Sequence, residues 1–264
     1  MQRTWATVVF MVTCWVWAGP AQGWNPSTQR TIALQAARIA PPDLYRQLVR
    51  NRASYLVGVE EPFRSGSPEA RFKYPDGSGQ LDAAIAEHVG YAVQSIRGHR
   101  PFNEVAYRLG VVAHYLAMAN NPSHAAASDP EEARWGRDFV TYMESIEPRV
   151  RIVFYGFRGQ QPLSVDGLVA ETLSRSRSLY PVVGREYRRV GFASGVRAFD
   201  DRSSAYAVAA LGYSHAVSDI AEVLRYIWLE AGGIDTRPSL PRRGQGVVPL
   251  SPLGGSPASP RTTR

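Results

Sequence analysis

Apolar residues that recur at every third or fourth position can be buried only by packing helix against helix, and this chain carries that spacing from Ser27 to Gly233. No stretch alternates long enough to read as a strand, and no internal repeat is visible. The spacing predicts a first helix capped by Ser27 or Thr28 and running to about Ile39. Pro41-Pro42 stops it, and Asp43 caps a second through Leu44, Leu48 and Tyr55. Arg64 to Gly79 reads as loop, with a Pro75-Asp76-Gly77 turn. A third helix spans Leu81 to Ile96, and a fourth opens at Pro101 and continues to about Ala119, where Asn120-Asn121-Pro122 ends it. A fifth runs from about Pro130 to Ile146, two more cover Ser164 to Leu179 and Val182 to Val190, and a long last one covers Ser203 to Ala231 before Gly232-Gly233. The expected fold is an all-α bundle of seven or eight helices.

The first 23 residues have the form of an export signal. Arg3 is the basic start, Trp5 to Val16 is an apolar run too short to span a bilayer, and Ala21 and Gly23 fit the small-residue cleavage positions. Cleavage there would make Trp24 the new N-terminus; an uncleaved anchor and a lipid-modified Cys14 are the alternatives. Cys14 is the only cysteine of the 264 residues, so the mature domain would have no disulfide. Secretion or a bacterial-type periplasm is the expected location. The domain is expected over residues 24–235, held by its core alone.

The net charge of +7 suggests a polyanion partner until its location is considered. The stretch 236–264 holds five arginines and no acid. The body, 24–235, holds 24 basic against 23 acidic residues and is close to neutral. No strong nucleic-acid signal remains. The tail, rich in Pro, Arg, Ser and Gly, is expected to be disordered and to touch anionic surfaces weakly at most.

Five histidines carry the candidate chemistry: His88, His99, His114, His124 and His215. His114 stands on an otherwise apolar helix, and His124 follows the Asn-Asn-Pro turn that ends it. A lone helical histidine is more often a satisfied core residue than a ligand. His88 reads as surface and His99 as loop. Ser218-Asp219 near His215 reads as local polar contacts along one helix. No Gly-rich phosphate loop and no nucleophile elbow are present.

The segment Leu109 to Ala126, with Trp24 at the cleavage point and a closing helix from Gly212-Tyr213 to Trp228, resembles the zinc-dependent phospholipase C family and its relatives, the zinc-dependent single-strand nucleases. Those enzymes carry His-Tyr-x-x-Asp, a Pro-bearing turn and a second His, and begin at a Trp whose amine and carbonyl bind zinc. The resemblance implies a phospholipase C-like helical fold, three zinc ions in a cleft, and phosphodiester hydrolysis by a metal-bound hydroxide.

Residue by residue, the resemblance places Trp24, Glu60, His114, His124 and Asp138 at metal-ligand positions. Gln29 stands where the nuclease branch has a His. Arg71 and Phe72 stand in the region of another His, and Arg134 at a further one. Met118, one turn after His114, replaces the Asp that bridges two zincs; a thioether does not substitute for that carboxylate on zinc. A full trinuclear centre is therefore not expected, since no single zinc would keep more than two side-chain ligands.

Three functions remain open at this level. One is a zinc-dependent phosphodiesterase working from a reduced metal site. The second is a non-catalytic relative whose Arg71 and Arg134 hold the phosphate of a phospholipid headgroup or another phosphate ester. The third is a structural or interaction protein in which His114 and Met118 are simply core.

Overall fold

The computed structural model describes residues 23–126, 131–158, 164–236 and 248–250. Nine helices lie among them: α1 (Pro26–Ile39), α2 (Pro42–Arg50), α3 (Arg52–Ser65), α4 (Leu81–Arg97), α5 (Phe102–Ala119), α6 (Pro122–Ala125), α7 (Glu132–Ile146), α8 (Val165–Val190) and α9 (Ser204–Glu230). The all-α expectation holds. Residues 1–22, expected to be an export signal, and most of the tail expected to be disordered lie outside the described residues. Val248–Pro249, inside the stretch expected to be disordered, forms strand β2, which pairs antiparallel with β1 (Val153–Phe154). Two residues are too few to leave an alternating signal in the sequence.

Two helices form the centre. Every residue of α5 from Leu109 to Ala119 is buried, and most of α9 from Gly212 to Leu224 is buried too. A helix apolar around its whole circumference must be covered on all sides, and α1, α3, α4 and α8 provide that cover. The closest packing is α3 on α5. A Cβ on Gly58 would lie 1.9 Å from the Tyr107 carbonyl oxygen, and one on Gly110 would lie 2.1 Å from that of Tyr55. Only glycine lets these backbones approach so closely.

The helix boundaries depart from expectation in three places. Asn25, not Ser27 or Thr28, caps α1, its side-chain oxygen accepting from the Thr28 amide at 2.8 Å. The expected second helix is interrupted at Asn51 and continues as α3. Pro181 does not divide α8, which runs through it. The cost of the lost amide is offset there by burial of Leu168, Leu173, Val183 and Tyr187 along the helix.

Candidate functional site

The site forms at the C-terminal end of α5. Trp24 is buried, with its indole Nε1 donating to the Ala117 carbonyl at 2.9 Å and its ring 4.7 Å from that of Tyr213. That anchor draws the start of the domain across the turn Asn120-Asn121, which leads into α6 and His124. Gly23 then lies against His124: a Cβ on it would come 2.0 Å from Nε2, and 3.2 Å from Asn121 Nδ2.

His114 points from α5 toward α3. Its Nδ1 lies 2.8 Å from the Val59 carbonyl oxygen, and its ring meets Phe63 edge-on at 4.7 Å. A carbonyl only accepts, so Nδ1 carries the proton and Nε2 keeps its lone pair. His114 Nε2 and His124 Nε2 are both buried without a hydrogen-bond partner, as are Asn121 Nδ2 and both amide atoms of Gln29. Unpartnered buried groups cost stability, and two of these are imidazole nitrogens; the charge on His124 disfavours protonation of His114. Burial, above all, holds His114 down to about 3 and His124 to about 4, with the Arg71 guanidinium lowering both further. Both rings are therefore neutral at ordinary pH. The Arg71 backbone hydrogen-bonds His124. The Arg71 guanidinium donates through Nη2 to the carbonyls of Pro62 and Phe63, at 3.3 and 3.2 Å, which leaves Nη1 and Nε for a ligand.

The structure thus brings together Trp24, His114, His124 and Arg71. The other expected site residues are engaged elsewhere. Glu60 is ion-paired with Arg30 and lies 4.0 Å from Arg64 at the surface. Asp138 accepts from the Tyr187 hydroxyl at 2.7 Å and sits under Gly195. Arg134 lies over the Phe192 ring at 3.9 Å and is exposed. Residue spacing fixed which face of α7 carries Arg134 and Asp138, but not the roll of α7, which turns that face toward α8 and the loop after it. Among the described residues no group of three or more His, Cys, Asp or Glu could hold a metal ion. The donors among the described residues therefore do not make up the three-zinc centre that the resemblance implies.

A second buried polar cluster lies close by, and sequence reasoning misjudged it. Asp219 on α9 is fully buried and accepts from Thr172 Oγ1 at 2.9 Å, from Asn120 Nδ2 at 3.2 Å and from Arg175. Ser214, Ser218 and Glu222, spaced one turn apart, accept the amides of Val153, Tyr155 and Arg158 at 3.2, 3.0 and 2.7 Å. This stripe fastens β1 along α9 and is not a set of local contacts. The period-four run of short polar residues on an apolar helix was its only signal. His88 is half-buried rather than at the surface, stacked on Tyr115 at 5.2 Å, and His215 meets Tyr155 at 4.9 Å.

No protein-family model and no curated protein matches the sequence. Solved structures do match. The alpha-toxin of Clostridium perfringens avian strain SWCP superposes with a TM-score of 0.60 at 13% identity, over 83% of this chain and 66% of that one. The alpha-toxin of Clostridium absonum gives a TM-score of 0.57 at 16% identity, over 79% of this chain and 64% of that one. The chain spans just under two thirds of either toxin. At such identities the likeness shows the fold alone: the chain has a phospholipase C-like, all-α fold.

Proposed function

We propose that this chain is an exported relative of the zinc-dependent phospholipases C that binds a phosphate ester, foremost a phospholipid headgroup, beside His114 and His124 without cleaving it. The observation that carries this reading is the Arg71 guanidinium, which stands beside two buried imidazoles with Nη1 and Nε to spare. A guanidinium holds phosphate oxygens through charge-assisted N–H donors, and Asn121 Nδ2, beside Gly23 and His124, is a further buried donor without a partner.

Hydrolysis is the chemistry of the resembled family, and it needs metal ions that these residues do not fit. Gln29 and Met118 carry no anionic donor, and Glu60 and Asp138 are spent on Arg30 and Tyr187. Removal of residues 1–23 belongs to the same proposal, because it would clear Gly23 from His124.

Titrating phosphocholine and glycerol phosphate into the wild type and Arg71→Ala tests the reading. Binding should weaken about tenfold or more on loss of one charge-assisted pair; equal affinity sinks it. Turnover of a chromogenic phosphodiester would instead restore the enzyme reading. The complete burial of His114 beside Phe63 favours one competing reading, a purely structural role. In that case His114→Ala would lower stability and leave every ligand affinity unchanged.

A further inference from the structure

Arginine cannot shed its proton, so a buried guanidinium N–H without an acceptor is a cost that no pKa shift relieves. Three such nitrogens lie on two neighbouring arginines, one in the segment after β1 and one on α8. They are Arg158 Nε, Arg158 Nη2 and Arg175 Nε, and none has an acceptor among the described residues.

We infer that Arg158 and Arg175 form a site for a phosphate group, free or as a monoester, in which the Glu171 carboxylate is the resident stand-in. This is a second anion site, and it does not rest on the reading of Arg71.

One carboxylate brings the two guanidiniums together. Arg158 Nη1 lies 2.8 Å from Glu171 Oε2, and Arg175 Nη1 lies 3.7 Å from Glu171 Oε1. Glu171 and Arg175 are four residues apart on α8 and share one face of it. Arg158 is carried there by the segment fastened along α9, where its own amide donates to Glu222 Oε2 at 2.7 Å. A small oxyanion therefore already spans the gap between two cations, and it does so as part of the chain.

Exposure decides which carboxylate can give way. Asp219 is 0% exposed and is held by Arg175, Thr172 and Asn120. Glu222 is buried and is held by the Arg158 amide. The Glu171 side chain is 51% exposed, and ion pairs open to water are worth little, so it turns out into solvent at small cost. Asp219 and Glu222 still balance the two arginines after that movement. The incoming anion thus takes over the place and the charge of Glu171 and does not depend on a positive surplus.

The number of donors selects the anion. The two oxygens of Glu171 meet one nitrogen of each guanidinium, and three nitrogens stay bare. A phosphate brings more oxygens around one centre, and guanidinium forks match its geometry.

The test is calorimetric titration of inorganic phosphate into Arg71→Ala, which silences the other pocket. One equivalent should bind. Adding Arg158→Gln should weaken it about tenfold or more. Adding Glu171→Gln should instead tighten it about two- to fivefold, because the competing charge is gone while the side-chain length is kept. The second variant keeps the test alive should the first fail to fold. Glycerol phosphate, titrated alongside, tells a monoester from free phosphate. The proposal is overturned by no phosphate uptake in Arg71→Ala, by Arg158→Gln binding as tightly as its parent, by Glu171→Gln binding no more tightly, or by acetate binding as well as phosphate. Phosphocholine affinity lost in Arg158→Gln and kept in Arg71→Ala would remove the earlier reading and leave this one standing.

Discussion

The turn after α5 sends one asparagine into each of two buried polar clusters. Asn120 joins Asp219, Thr172 and Arg175, where the carboxylate accepts from three donors. Asn121 joins His124 and the start of the domain, where its amide nitrogen and the imidazole Nε2 find no partner. Burial is alike in the two clusters; the Asp219 carboxylate accepts from three donors, although Arg175 Nε beside it has no partner, whereas His124 Nε2 and Asn121 Nδ2 have none at all. A bonded network holds a fold together, whereas buried polar groups without partners cost stability.

The largest blow should come from the bonded side. Asp219→Ala removes the buried acceptor shared by Thr172, Asn120 and Arg175 and should cost about 3–5 kcal/mol in urea unfolding, with phosphocholine affinity unchanged in whatever protein remains folded. A loss below about 1 kcal/mol would erase the contrast between the clusters.

Acid separates them next. The folded-state values of His114 and His124, about 3 and about 4, lie below the ordinary histidine value near 6.5. Between these limits the unfolded chain holds protons that the folded one does not, so stability is full above about pH 6.5 and falls as pH drops toward 4. In chelator-treated protein the slope should be about 1.4 kcal/mol per pH unit for each histidine. His124→Gln should remove its share; a slope equal to the wild type's would mean that the ring is not held neutral.

A third effect has the opposite sign. Gln29 buries two amide atoms without partners, so Gln29→Leu should stabilise the metal-free protein by about 1–2 kcal/mol. Destabilisation on calorimetry would show that these atoms are bonded after all, by bound water for instance. The smallest effect is expected at Arg134→Ala: about 0.5–1 kcal/mol from the lost stacking on Phe192, and no change in phosphocholine affinity. A drop in that affinity would return Arg134 to the site.

Much of the fold was legible because helix periodicity is local. The apolar runs that make α4, α5 and α9 are visible in any short window, and their ends fall within a residue or two of the Gly and Pro punctuation. Pro181 and Asn51 misled for the same reason. Whether a proline is tolerated, or a helix breaks at an asparagine, depends on what packs against it. At the site, Trp24, His114 and His124 were named through resemblance; Gly23, next to Trp24, lies against His124, and His114 lies close enough to His124 to feel its charge. Glu60 and Asp138 were assigned by position alone, and their actual partners, Arg30 and Tyr187, lie 30 and 49 residues away. The Ser214, Ser218 and Glu222 stripe was missed because its partners are backbone amides 61 to 64 residues distant, which no side-chain pattern announces.

The glycine contact between α3 and α5 has a consequence for the imidazole at their boundary. Val59, whose carbonyl holds the His114 proton on Nδ1, follows Gly58 directly, and Gly58 rests on the Tyr107 carbonyl. Widen that seam by a single methyl group and the proton would be free to migrate to Nε2, turning an electron-pair donor into a blocked one. Which tautomer faces the pocket is therefore decided by residues with no side chain, and a comparison of relatives that scored only would-be ligands would overlook the positions that let them act.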